Sequence, residues 1–426
     1  MPITSPALSH AEDLADFVAA SPSSYHAAQE VARRLVSSGF TRLEEAEEWP
    51  AQTGGRYLVV RDGAVIAWAV PEGAGATTGV RVFGAHTDSP GFKLKPKPTT
   101  GKFGWLQAGV EVYGGPLLNS WLNRELRLAG RLGLADGTVV NAATGPLLTL
   151  PQLAIHLDRG VNDHLALDKQ TQTQPVWGLG EPESADLLAE VAAAAGVDAG
   201  QVRGYDLVVA DSARGAVFGA QDEFFAAGRL DDLASVHAGL VALENLSDET
   251  GSITMLAAFD HEELGSSSRS GACGPFLEDV LERVYADLGA GIAERRRAFA
   301  ASWCLSSDVG HSVHPNFPEK HDPVVRPLLG SGPILKINAN QRYATDAVGA
   351  AAWASWCESA GVPSQEFVSN NDVPCGSTIG PLTATRLGLR TVDVGIPILS
   401  MHSARELAGV SDLHSLAQVA GAFWRG

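Results

Sequence analysis

Cysteine is scarce in this sequence: Cys273, Cys304, Cys357 and Cys375 are scattered and form no CxxC pair. A disulfide framework is thereby excluded, thiolate metal ligation has no support, and the four read as buried reduced thiols. Positive charge is also short. The 31 basic against 49 acidic side chains leave a net charge of −18, which repels nucleic acid and anionic membrane surfaces. No stretch supplies the ~20 uninterrupted apolar residues of a membrane helix. The opening MPITSPALSHAEDLADF has neither a basic nor an apolar leader region, so the chain reads as cytoplasmic.

What is present is an ordinary globular composition, 45% hydrophobic and 7% aromatic over 426 residues, enough for two or three cores. Apolar positions recur at helical spacing through residues 9–38. Tyr57–Val60 and Ala64–Val70 flank the turn signal Asp62-Gly63 and predict a hairpin. The strand Val80–Phe83 then leads into Gly84-Ala85-His86. Between residues 96 and 222, short β-like runs are punctuated by Gly114-Gly115-Pro116, Asp136-Gly137 and Gly145-Pro146, which predicts an inserted β-rich domain.

From 223 an α/β rhythm returns, with helix 231–245, strand Ile253–Phe259, helix 275–288, strands Trp303–Ser307 and Ile334–Ile337, helix 346–360, strand Arg390–Val394 and a last helix near 411–424. Residues 1–95 and 223–426 therefore form the two parts of one α/β unit: a mixed, mostly parallel sheet sandwiched by helices. Such sheets bind ligands at the carboxyl ends of their strands.

The chemistry-bearing residues fall at those ends. In His86-Thr87-Asp88, positions i and i+2 of an extended segment share a face, so the Asp88 carboxylate can reach and orient the imidazole. Gly228-Arg229-Leu230-Asp231-Asp232-Leu233 precedes a helix; Asp231 fits an N-cap, or a carboxylate bridging two cations. Asp260-His261-Glu262-Glu263-Leu264-Gly265 follows an apolar strand and offers one carboxylate to a metal and another to a reacting water. It is not the helical HExxH motif, because residue 265 is Gly where that motif needs His. Ser307-Asp308 and Ser400-Met401-His402-Ser403-Ala404-Arg405-Glu406 complete the set. Each segment alone also fits a structural role. Together, two His and three carboxylates without thiolate suit Zn²⁺, Mn²⁺ or Co²⁺.

Seven ordered blocks resemble the aspartyl aminopeptidases, a family of dinuclear zinc aminopeptidases: GAHTDSPGFKLKP from Gly84, GRLDDL from Gly228, FDHEELGS from Phe259, SSDVGHSVHPN from Ser306, KINANQRYATDA from Lys336, NDVPCGSTIGP from Asn371 and MHSARE from Met401. The resemblance implies two Zn²⁺ per chain, replaceable by Mn²⁺ or Co²⁺: one held by His86 and Asp308, one by Glu263 and His402, with Asp231 bridging. It implies Asp88 as the support of His86 and Glu262 as general acid/base. The substrate would be a peptide with an acidic N-terminus, its first side chain paired with Lys336; Tyr343, His311 and Gly376 are further expected contacts. His156 would reach a neighbouring subunit's site, and the inserted domain would mediate dimerisation toward a dodecamer. One departure is Asp232, where many relatives carry Asn. Two alternatives stay open: a neutral-residue (Leu-type) aminopeptidase of the same clan, and a particle-forming cargo or scaffold protein with weak activity.

Overall fold

A computed structural model describes residues 3–246 and 250–426. Apolar strands bounded by turn residues assemble into a nine-stranded sheet in the order Thr41–Arg42, Arg56–Arg61, Ala64–Ala69, Ile253–Phe259, Val80–His86, Trp303–Ser307, Arg390–Gly395, Ile334–Lys336, Gln365–Phe367. Its middle is parallel: Ile253–Phe259, Val80–His86, Trp303–Ser307 and Arg390–Gly395 all run the same way. The predicted hairpin pairs antiparallel at one side, and Ile334–Lys336 runs antiparallel to Arg390–Gly395 at the other. The central strand Ile253–Phe259 is buried at every position, as expected for a strand covered on both faces.

Helices supply the two covering layers. Ser5–Ala20, Ser24–Ser37, Leu230–Glu244, Ala347–Ala360 and Val410–Arg425 pack one face around Leu14, Phe17, Leu233, Trp353, Leu413 and Phe423. Phe276–Asp287, Ile292–Ala300 and Ile379–Leu387 cover the other with Phe276, Leu281, Tyr285, Phe299 and Leu387. Thr4 and Ser23 cap the first two helices by accepting backbone N–H bonds. The expected sandwich is present.

Between these parts lies an antiparallel six-stranded sheet with its own core of Phe92, Val110, Leu128, Leu207 and Val209, closed by the helix Leu187–Ala194. Its strand Gly91–Lys102 begins before residue 96, because the chain passes from one sheet to the other without a linker. A third, five-stranded sheet runs Ala216–Phe218, Phe224–Ala227, Glu406–Gly409, Pro397–Leu399, Gly310–His311. It ties the end of the β-rich stretch to the segment carrying His402. Of the cysteines, Cys304 and Cys357 are buried; Cys273 and Cys375 are only partly so, which corrects the expectation for those two, since both sit in loops rather than on core elements. Among the described residues no helix is long and apolar enough to cross a membrane.

Candidate active site

Because the central strands are parallel, their carboxyl ends share one edge, and the site is built there. His86 is the last residue of Val80–His86, Glu262 and Glu263 follow Ile253–Phe259 in a short 3-10 turn, and Asp308 directly follows Trp303–Ser307. His402 comes two short steps after Arg390–Gly395. These residues, with Asp231, Lys336, Tyr343, His311, Gly376 and Thr378, line one cavity of about 360 Å³.

Asp231 is at the centre. Its Oδ1 lies 3.2 Å from His86 Nε2 and its Oδ2 lies 3.4 Å from His402 Nε2. Each imidazole is oriented by its other nitrogen: His86 Nδ1 lies 3.0 Å from the Asp88 carbonyl oxygen, and His402 Nδ1 3.0 Å from the Gly115 carbonyl oxygen. A carbonyl only accepts, so both rings carry a proton on Nδ1 and turn Nε2 toward Asp231. Asp308 Oδ1 is 4.0 Å from His86 Nε2, and Glu263 Oε1 is 3.5 Å from His402 Nε2.

Asp88 does more than orient His86. Its carboxylate is 3.5 Å from the ring, while Oδ1 accepts the Glu262 N–H at 2.9 Å and Oδ2 accepts the Glu263 N–H at 3.2 Å and the Tyr113 hydroxyl at 2.8 Å. It therefore sets the turn that aims both glutamates. Asp231 is no N-cap: it and Asp232 have non-helical backbone angles at the head of Leu230–Glu244, and its side chain goes to the imidazoles. Asp232 is fully buried and accepts the His86 N–H through Oδ2 at 3.2 Å.

The cluster carries surplus negative charge, and the titration shifts register it. Burial pushes the Glu262 carboxyl up to about 7, with Asp308 and Asp231 adding to the effect. Burial and Asp231 hold Glu263 well above the usual range; burial, Asp308 and Asp231 do the same for Asp232. Burial opposes a charge on His402, but Asp231 and Glu263 overcome it and lift the ring to about 10. These are the marks of a site designed around a cation.

A metal ion fits this donor set. Ligand atoms around one tetrahedral zinc, at bond lengths near 2.0–2.2 Å, lie about 3.3 Å from each other, close to the separations above. Asp231 Oδ1 and Asp232 Oδ1 are buried with no hydrogen-bond donor among the described residues, the orphaned acceptors a cation would satisfy. The donor atoms of His86, Asp231 and Glu263, and those of His86, Asp232 and Asp308, each lie within 4.8 Å of one another. Residues 17–424 match the profile of a family described as aminopeptidase I zinc metalloproteases, M18.

The chain belongs to the M18 family of zinc aminopeptidases. A probable M18 family aminopeptidase 2 of Streptomyces avermitilis is 54% identical over 98% of each chain. Among solved structures, a chain of the Ape4 and Nbr1 complex superposes with a TM-score of 0.95 at 35% identity, covering 100% of this chain and 88% of that one. The Saccharomyces cerevisiae mApe1 dodecamer matches at a TM-score of 0.85 and 30% identity over 97% of each chain. The family is the one that the seven motif blocks resemble, and its M18 fold is the sandwich described above.

The remaining expected residues are less alike in setting. Lys336 is 2% exposed; its ammonium donates to the Val309 carbonyl at 2.9 Å and sits 3.6 Å from Asp308 Oδ2. Tyr343 is buried with its ring 5.5 Å from that ammonium, whereas His311 and Gly376 are exposed. His156 is exposed in a loop and does not line this cavity. Sequence reasoning assigned no role to Tyr113, Gly115 or Glu406 of this M18 site. Gly114-Gly115 read only as a turn, yet Gly114 has φ +67° and a Cβ there would lie 3.2 Å from Glu263 Cβ.

Proposed function

We propose that this M18 enzyme is a two-metal aminopeptidase that removes N-terminal Asp or Glu from peptides. The observation that carries the reading is a single carboxylate, Asp231, presenting one oxygen to each of two imidazoles whose outer nitrogens are anchored by carbonyls. In this reading His86 and Asp308 hold one Zn²⁺, Glu263 and His402 hold the other, and Asp231 is shared; Mn²⁺ or Co²⁺ would suit the same donors. The two ions, when bound, lower the pKa of water and polarise the scissile carbonyl.

Glu262 is the general acid/base. Its carboxyl, raised toward neutrality by burial, takes a proton from the attacking water and returns one to the departing amine. Asp88 holds Glu262 in place through its backbone. The Lys336 ammonium, beside Asp308 and under the Tyr343 ring, supplies the positive charge for an acidic first side chain, with His311 and Gly376 at the cavity's margin.

The six-stranded sheet unit is the dimerisation domain in this proposal. The exposed His156 of its loop would complete a neighbouring subunit's site within a dodecamer, as the subunit number of the yeast mApe1 assembly suggests. The protein would act in the cytoplasm. The test is metal content: wild type should hold two equivalents of zinc per chain, and Asp231→Ala should hold fewer and turn over no substrate. Full occupancy and activity in Asp231→Ala would refute the bridging role.

A further inference from the structure

His402 has φ 64°, a left-handed backbone that residues other than Gly or Asn adopt reluctantly, and Arg229, two residues before Asp231, has φ 61°. Asp231 itself is non-helical although it stands in the first turn of Leu230–Glu244. In both segments the backbone N–H leaves the regular hydrogen-bond pattern. Both need an acceptor, and both find the same one.

Glu406 opens the strand Glu406–Gly409 and is 1% exposed. Its Oε2 accepts the Asp231 N–H at 2.9 Å and its Oε1 accepts the His402 N–H at 2.7 Å. A buried carboxylate takes such bonds short and strong, and with two of them its position is determined. The other side of each segment is tied as well: Ser89 Oγ donates to the Asp231 carbonyl at 2.6 Å, and the Leu117 N–H donates to the His402 carbonyl at 2.9 Å. We propose that Glu406 is a positioning residue for metal binding, one carboxylate that fixes the backbone of the shared ligand Asp231 and of His402 so that their side chains face each other.

The inference rests on Asp231 and His402 being metal ligands. A merely structural role is separated from it by a matched control elsewhere in the fold. Asp412 is also fully buried and accepts two backbone N–H groups, from Gly330 at 2.7 Å and Gly332 at 2.8 Å, in a loop that carries no site residue. Glu406→Gln replaces one acceptor oxygen with an amide donor facing a backbone donor; Asp412→Asn does the same at the control position.

The experiment is competition for zinc between metal-stripped protein and a chromogenic chelator. Glu406→Gln should weaken the affinity of at least one of the two equivalents by about 10- to 100-fold, the usual effect of removing a group that supports a ligand, while Asp412→Asn lowers thermal stability and leaves both zinc affinities unchanged. Excess zinc should restore kcat in Glu406→Gln with KM unaltered. If Glu406→Gln does not fold, Glu406→Asp, which keeps the charge but cannot span both N–H groups, should show the same selective loss. Wild-type zinc affinity in a folded Glu406 variant, or equal zinc loss in Asp412→Asn, overturns the inference alone; wild type binding fewer than two zinc ions overturns the two-metal reading beneath it.

Discussion

Lys336 Nζ lies 3.6 Å from Asp308 Oδ2, so the ammonium that would recognise an acidic substrate is already neighbour to a proposed metal ligand. A lone buried ammonium is costly without anions. Here Asp308 and the Val309 carbonyl supply partners, and the charge is shared between holding Asp308 and facing the cavity.

Lys336→Ala should therefore reduce the preference for aspartyl over leucyl substrates. A hydrogen bond to a charged group contributes about 1.5–3 kcal/mol, so the ratio of kcat/KM values should fall by roughly 10- to 100-fold. An unchanged ratio would transfer selectivity to other residues and favour the neutral-residue alternative.

Glu262→Gln should lower kcat by roughly 100- to 10,000-fold, the span typical of a lost general base, with two zinc ions still bound. In the metal-free site burial holds this carboxyl at about 7; cations seated nearby pull it down. The acidic limb of kcat/KM should accordingly fall below pH 7 in wild type. Activity retained by the glutamine variant would remove Glu262 from the role.

Stripping zinc should make stability fall with rising pH. Burial keeps Glu262 protonated in the metal-free fold to about 7, above the ~4.3 of an unfolded glutamate. Its contribution is full below the unfolded value and is lost as pH climbs through 7. Bound zinc reverses that cost, and at a thousandfold excess over Kd adds about 4 kcal/mol. The gap in thermal midpoint between loaded and stripped protein should widen from pH 5 to pH 8. A gap that narrows would contradict the cation-centred design.

The opposite sign applies far from the site. His10 packs at ring-centroid distances of 4.7 Å from His237 and 5.8 Å from His414, and burial, helped by those two rings and by Arg34 against the opposing charge of Asp13, pushes it down to about 2. It folds neutral, so its contribution is present above 6.5 and is lost as pH falls, at about 1.4 kcal/mol per unit. His10→Phe, which keeps a neutral ring, should flatten the acid side of the stability curve; parallel curves would show that His10 takes up a proton as readily in the folded as in the unfolded chain.

Much of this was readable from residue order. The strands Ile253–Phe259 and Trp303–Ser307 are apolar enough to mark themselves, and glycines and acids end them at the site edge. Ile292–Ala300 and Ile379–Leu387 were not foreseen as helices: the first carries consecutive arginines on a weakly apolar frame, and Gly380-Pro381 reads as a breaker although a helix's first turn tolerates both. The five-stranded sheet was hidden because its pairings join segments distant in sequence, one of them only Gly310–His311. For the same reason the part played by Glu406 is not legible in the MHSARE block. Its role exists only once the folded backbone brings the Asp231 and His402 N–H groups to it.

The central claim meets its most direct test in aminoacyl-nitroanilide hydrolysis by metal-stripped and zinc-reloaded protein. The stripped protein should be silent, and the reloaded one should turn over the aspartyl substrate faster than the leucyl one. No turnover of any aminoacyl substrate by protein loaded with zinc or manganese would contradict the account.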